Sequence, residues 1–254
     1  MKSALSLLAA VLISSSAFAD LDMAALERAM ANPDRPAADK ERDASRQAPA
    51  VLNFLGLEAG MTVLDINAST GWYTEVLSYA VGPNGKVYMQ NRPGGNAAEA
   101  AAAKAARLPN VEQVGAITDP AAGSVDFAIT ALNFHDFHNS NPDTAQNILN
   151  GVVSVLKPGG ILGIIDHEGT PGADNQSLHR IAFDEAVKSV LANGNLALVG
   201  ASDIPATPAD DHALPPFNAA LERNTDRFVL KFVKLWRPPL PTCWPARREL
   251  CKRR

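Results

Sequence analysis

Four short stretches of the chain combine residue types that can do chemistry. The first is Val63-Leu64-Asp65-Ile66-Asn67-Ala68-Ser69-Thr70-Gly71-Trp72-Tyr73-Thr74: an apolar run ending in a carboxylate, a set of small turn formers, then a return to helical spacing. The second is Asn133-Phe134-His135-Asp136-Phe137-His138, which follows another apolar run. The third, Asp166-His167-Glu168, ends a further apolar run, and the fourth is His179-Arg180. Imidazole can move a proton near neutral pH and a neighbouring carboxylate can orient it, so His135 and Asp136 are the candidate catalytic pair. Asp166, His167, Trp72 and Tyr73 are candidate substrate contacts, although large rings beside strand ends more often pack between sheet and helix. His135, Asp136, Asp166, His167 and His179 together carry donors suited to a divalent metal, yet no compact spacing such as H-x-x-x-H occurs, and no metal is expected. A polar network is the alternative. With His179 and Arg180 on a helix, buried pairs to Asp226 and Arg227 would fix the end of the fold against the sheet.

The elements that must position these residues alternate between the two hydrophobic periods. Strands are predicted at Val63 to Ile66, Lys86 to Gln90, Val111 to Val114, Val125 to Thr130, Ile161 to Ile165, Leu196 to Val199 and Arg227 to Val233. Helices are predicted at Trp72 to Ala80, Ala97 to Arg107, Asp143 to Leu156 and Gln176 to Asn193, the third capped by Asn141 with Pro142 in its first turn. This alternation implies an α/β fold with a mostly parallel sheet covered on both faces. In such sheets ligands bind at the carboxyl ends of the strands, where the first three stretches fall.

Ahead of the first strand, Leu21 to Met30 reads as an amphipathic helix and Asn32 to Pro36 as a Pro-punctuated surface arm. The charges at Asp39, Lys40, Glu41, Arg42, Asp43 and Arg46 suit a solvated helix with intrahelical pairs. Val51, Leu52, Phe54, Leu55 and Leu57 then supply an apolar face.

With 254 residues, 46% hydrophobic and 20% charged, the chain can bury a full core, which excludes disorder and a disulfide-stapled miniature as default readings. A net charge of -4 argues against a general nucleic-acid binder. Lys2, the apolar run Ala4 to Ile13 and the small-x-small Ala17-Phe18-Ala19 read as a signal peptide cleaved behind Ala19, so a periplasmic or secreted location is expected. No later run is long enough for a membrane helix. Cys243 and Cys251 can pair locally or remain two inert thiols. The organisation expected is a signal peptide at 1–19, an N-terminal helical arm at 20–43, one domain at 44–234 and an irregular basic tail at 235–254.

In order and motif the chain resembles the class I S-adenosylmethionine-dependent methyltransferases. The resemblance rests on VLDINASTGWYTEVL, GPNGKVYMQN, SVDFAITALNFHDFHN, LKPGGILGIIDHE and TDRFVLKFVK, and it covers about Ala44 to Lys234. With the signal peptide, NFHDFHN, DHE and SLHRI, it is more narrowly similar to an exported bacterial subgroup of predicted methyltransferases. What it implies is a three-layer Rossmann-like fold with a seven-stranded, mostly parallel sheet whose last strand is antiparallel. It also implies S-adenosyl-L-methionine as cofactor and a small-molecule methyl acceptor.

The family's glycine turn has the form D-x-G-x-G-x-G, so the resemblance assigns Asp65, Asn67, Ser69 and Gly71 to the cofactor. Asn91 stands at the strand end where the family places a ribose-binding acid, and Asn133 joins the same set. Asp119 is the nearest candidate for the acid beside the adenine. Asn67 and Ser69 replace two glycines, and Gln90-Asn91 replaces the acid. These replacements support an alternative, a non-catalytic periplasmic protein that binds another metabolite in the same crevice.

Overall fold

The computed structural model describes residues 18–236. Most of the expected signal peptide, together with Cys243 and Cys251, lies outside the described residues. In chain order the elements are β1 (Ala19–Asp20), α1 (Met23–Met30), α2 (Ala37–Lys40), α3 (Asp43–Arg46), α4 (Ala48–Leu55), β2 (Glu58–Ala59), β3 (Thr62–Ile66), α5 (Trp72–Val81) and β4 (Lys86–Gln90). They continue with α6 (Ala98–Arg107), β5 (Val111–Val114), β6 (Val125–Ala131), α7 (Phe134–Ser140), α8 (Pro142–Val155), β7 (Leu156–His167), α9 (Phe183–Leu191), β8 (Leu196–Ser202) and β9 (Arg227–Lys234).

Seven strands form one sheet in the order β5-β4-β3-β6-β7-β9-β8. The β3–β4, β3–β6, β4–β5 and β6–β7 pairings are parallel, whereas β9 runs antiparallel to both β7 and β8. This is the expected three-layer fold with its antiparallel last strand. Central strands buried on both faces need continuous apolar runs, as Val63-Leu64, Phe127-Ala128-Ile129 and Val229-Leu230 provide. One core joins α1, α4 and α5 to the sheet, and a second joins α8 and α9 to its other face.

Two local expectations are corrected. The segment from Gln176 to Arg180 is a turn, and α9 begins only at Phe183. There Asp174 accepts a bond from the Ser177 N–H at 3.1 Å, a local alternative to helical bonding, and His179 adopts a left-handed φ of 50°. Arg180 is buried as foreseen, but its carboxylate partner is Asp210 at 2.8 Å, while Asp226 instead meets His212.

The charged arm keeps an intrahelical Asp39–Arg42 pair, but it is only partly solvated. Arg35 and Asp39 are buried, and Lys104 of α6 lies between Asp39 and Glu75, 2.9 Å from the latter. Glu75 also accepts from Arg107 at 2.9 Å and from the Tyr79 hydroxyl at 2.8 Å. Arg35 grips Asp43 through two nitrogens at 2.6 and 2.9 Å, and the Trp72 indole N–H donates to the Asp39 carbonyl at 2.8 Å. The arm is thereby locked across α5 and α6. At the other end Arg227 donates to the Ser45 carbonyl at 2.8 Å, tying β9 to the end of α3.

Removing one member of a buried ion cluster leaves uncompensated charge, at a cost of about 3–5 kcal/mol. Lys104→Met is therefore expected to lower the unfolding free energy by that amount in denaturant titrations. Lys188→Ala, at an exposed pair with Asp184, should leave the midpoint unchanged.

Candidate functional site

The turn after β3 passes through left-handed backbone at three alternate residues: Asn67 (φ 51°), Ser69 (φ 53°) and Gly71 (φ 79°). At Gly71 the positive φ strains any side chain, and a Cβ there would also lie 2.6 Å from the Met89 methyl group, which would have to shift. Asn67 and Ser69 do carry side chains, and each left-handed residue of this kind costs on the order of 1 kcal/mol. Bonds from the end of β4 offset that strain. The Gln90 side-chain oxygen accepts the Asn67 N–H at 3.0 Å, and its backbone oxygen accepts the Ala68 N–H at 2.9 Å. Asn91 accepts from the Ser69 N–H at 2.8 Å and donates to the Ser69 carbonyl at 2.9 Å.

These bonds explain the amides that stand where the family has an acid. An ionised Asp at 91 could accept from Ser69 but could not donate to it. Asn91, expected to meet a ribose, therefore spends its amide on the turn. Asp119 is likewise occupied, accepting from the Gly115 and Ala116 N–H groups at 2.9 and 2.8 Å.

Clefts open on both sides of this turn, and Asn67 and Ser69 line both. One, of about 490 Å³, is bounded by Asn91, the Arg92–Gly95 loop, Ala101 and Gln113 to Gly115. The other, of about 290 Å³, is bounded by Arg42, Arg46, Asp65, Trp72, Tyr73, Asn133 and Asp136. Trp72 and Tyr73 are buried edge to face, with ring centres 4.7 Å apart, and the Arg46 guanidinium lies 4.5 Å over Trp72 and 5.4 Å over Tyr73. Their bodies are core and their edges are cleft wall. Asn133 is mostly internal, donating to the Ala131 carbonyl at 3.1 Å and accepting from the Thr130 hydroxyl. Asp65 accepts from the Thr74 hydroxyl at 2.6 Å, and burial pushes its carboxyl up to about 7 against the opposing pull of Thr74 and Arg46.

At the next strand ends, His135 is buried with both ring nitrogens facing carboxylates. Asp166 takes the His135 backbone N–H at 2.7 Å and Nδ1–H at 2.6 Å, and Nε2 lies 3.3 Å from Asp136. Burial favours the neutral ring, but Asp166 and Asp136 outweigh it and lift the His135 pKa to about 10. The two carboxylates thus favour the protonated ring. Asp166 is fully buried and also accepts from the His167 N–H at 2.8 Å, so it orients His135 rather than touching a substrate. His167 is buried against the Thr225 hydroxyl at 2.7 Å, and burial with nearby Arg227 holds it well below the usual imidazole range. His138 Nδ1 lies 3.1 Å from the Ser189 hydroxyl.

Asp136 is exposed on the rim of the smaller cleft and meets His179 Nδ1 at 3.0 Å. Sequence reasoning missed this contact because His179 was assigned to a helix. It also missed Arg42 and Arg46, whose approach depends on the docking of the arm.

Folded Asp65 holds its proton more tightly than an unfolded Asp, so its contribution to stability is full below pH 4 and is lost as pH rises through about 7. Carboxyl-carbon NMR should give Asp65 a midpoint near 7. The stability difference between the natural chain and Asp65→Asn should shift against the natural chain over that window. A midpoint near 4 would contradict the assignment.

No protein-family model and no curated protein matches the chain. Solved structures do. A SAM dependent methyltransferase from Aquifex aeolicus aligns with a TM-score of 0.59 at 22% identity, over 84% of this chain and 99% of that one. The [4+2]-cyclase SpnF gives 0.58 at 18% identity, over 80% and 85%. Aeropyrum pernix fibrillarin, crystallised with natively bound S-adenosyl-L-methionine, gives 0.50 at 16%, over 75% and 76%. At these identities the likeness is one of fold: the chain has the Rossmann-like architecture of the methyltransferases.

Proposed function

We propose that the chain is an S-adenosylmethionine-dependent methyltransferase acting on a small-molecule acceptor. The observation that carries this reading is the pair of clefts wrapped around one left-handed turn, with opposite charges gathered in the smaller of them. The amino-acid end of the cofactor bears a carboxylate and an ammonium group. Arg42 and Arg46 supply cations for the first, while Asp136 supplies a carboxylate for the second and the buried Asp65 carboxyl a further acceptor. The residues present fit the group at that end. At the nucleoside end, Asn91 is engaged with Ser69, leaving the 92–95 loop and residues 113–115 to line the larger cleft.

When bound, the sulfonium supplies an electrophilic methyl group. The chain's own contribution is positioning: Arg46 is restrained by the Trp72 and Tyr73 rings, and Asp136 on the rim can accept a hydrogen bond from an acceptor's polar proton. His135, fixed by Asp166, holds its Nε2 3.3 Å from Asp136 and so restrains that carboxylate.

The reading includes export, supported by the basic, apolar and small-residue pattern of residues 1–19. Among the described residues no helix is long and apolar enough to cross a membrane. The Asn91–Ser69 pair favours a second reading, a non-catalytic metabolite binder that keeps the crevice.

Calorimetry on the full chain with S-adenosylmethionine and its demethylated product separates them. The methyltransferase reading expects binding of both at one site, weakened about tenfold or more by Arg46→Ala, as the loss of a hydrogen bond to a charged group implies. Absence of heat with either would overturn it and leave the second reading.

A further inference from the structure

We propose that His135, Asp136 and His179 form a binding site for one divalent transition-metal ion. The three residues come from two places in the chain that the fold brings together, and their ligand atoms all lie within 4.8 Å of one another. Two of the separations are already close to those of a coordinated set: His135 Nε2 to Asp136 Oδ1 is 3.3 Å, and His179 Nδ1 to the same oxygen is 3.0 Å. Ligands held about 2.1 Å from a common ion stand roughly 3–3.5 Å apart. The third separation, between the two imidazoles, lies within 4.8 Å, and His179 is an exposed side chain.

The surroundings are those of a metal ligand. Asp166 takes the Nδ1 proton of His135 at 2.6 Å, which fixes the ring and turns Nε2 toward Asp136 and His179. A carboxylate behind a histidine in this way orients the ring and raises its donor strength toward a metal. His179 has left-handed backbone (φ 50°) and is followed by Arg180, which is fully buried against Asp210 and the Leu214 carbonyl. The Phe217 ring packs edge on against His179 at 5.2 Å.

Two imidazoles and one carboxylate suit zinc, cobalt, nickel or iron better than magnesium or calcium, and three protein ligands leave positions for water or a polar acceptor. Asp136 also lines the smaller cleft, so such an ion would adjoin it. The geometry of the site does not rest on the methyl-transfer reading; Asp136 would serve the ion in place of a cofactor's ammonium group.

Tag-free, chelator-treated full chain titrated with cobalt(II) tests the assignment through the visible absorption of the bound ion, with zinc(II) calorimetry alongside. One equivalent should bind, and His179→Ala and Asp136→Asn should each weaken binding about tenfold or more while circular dichroism stays unchanged. Either variant alters an exposed side chain, so folding is not at stake. No uptake at millimolar cobalt or zinc, or uptake that neither variant weakens, would overturn the proposal. Loss of metal binding in His179→Ala, which lies outside the cleft lining, with retained cofactor binding would leave the function proposed above intact.

Discussion

The left-handed backbone at Asn67, Ser69 and Gly71 is the constraint around which the rest of the crevice is arranged. A turn of that shape is inexpensive when it is built from glycines. Here two of its three positive-φ positions carry side chains, and the conformation persists because Gln90 and Asn91 bind its backbone from the neighbouring strand. The amides and the non-glycine turn are therefore one device. Changing the strand end from acid to amide gives up a charged acceptor and gains a donor for the Ser69 carbonyl, and the clefts on either side take their shape from the result.

A second device closes the crevice from the N-terminal side. The arm brings Arg42 and Arg46 to the smaller cleft, and it does so through buried charges rather than an apolar face alone. Lys104 neutralises Asp39 and Glu75 together, and Trp72 contributes to both structures by donating to the arm's backbone and supporting Arg46 with its ring. Buried ion clusters are weak sources of net stability but costly to break, which suits an element that must keep one position.

Much of the architecture was legible in the sequence because the relevant signals are local. The runs at Val63 to Ile66 and Lys86 to Gln90, the Asn141 cap and the alternation from Arg227 to Val233 correspond to β3, β4, the start of α8 and β9. The strand-turn-helix junction was legible, and its need for positive φ at Asn67 and Ser69 could be foreseen from glycine's usual place in such turns. Its clasp could not, because Asn91 identifies a donor and acceptor but not the group 22 residues away that uses them. The arm was misread for the same reason: Asp39 finds Lys104 at a separation of 65 residues, and only the folded chain shows that these charges face each other rather than water. His179 was misplaced because a side-chain bond at Asp174 stops the helical pattern that its periodicity suggests.

The most direct measurement of the account is a backbone amide NMR titration of the full chain with the demethylated product of S-adenosylmethionine. If the clasped turn is a cofactor turn, the amide signals of residues 67–71, together with Asn91 and the Arg46 region, move in a saturable way while those of β8 and β9 remain still. Saturable shifts confined to other parts of the molecule, or none at all, would contradict it.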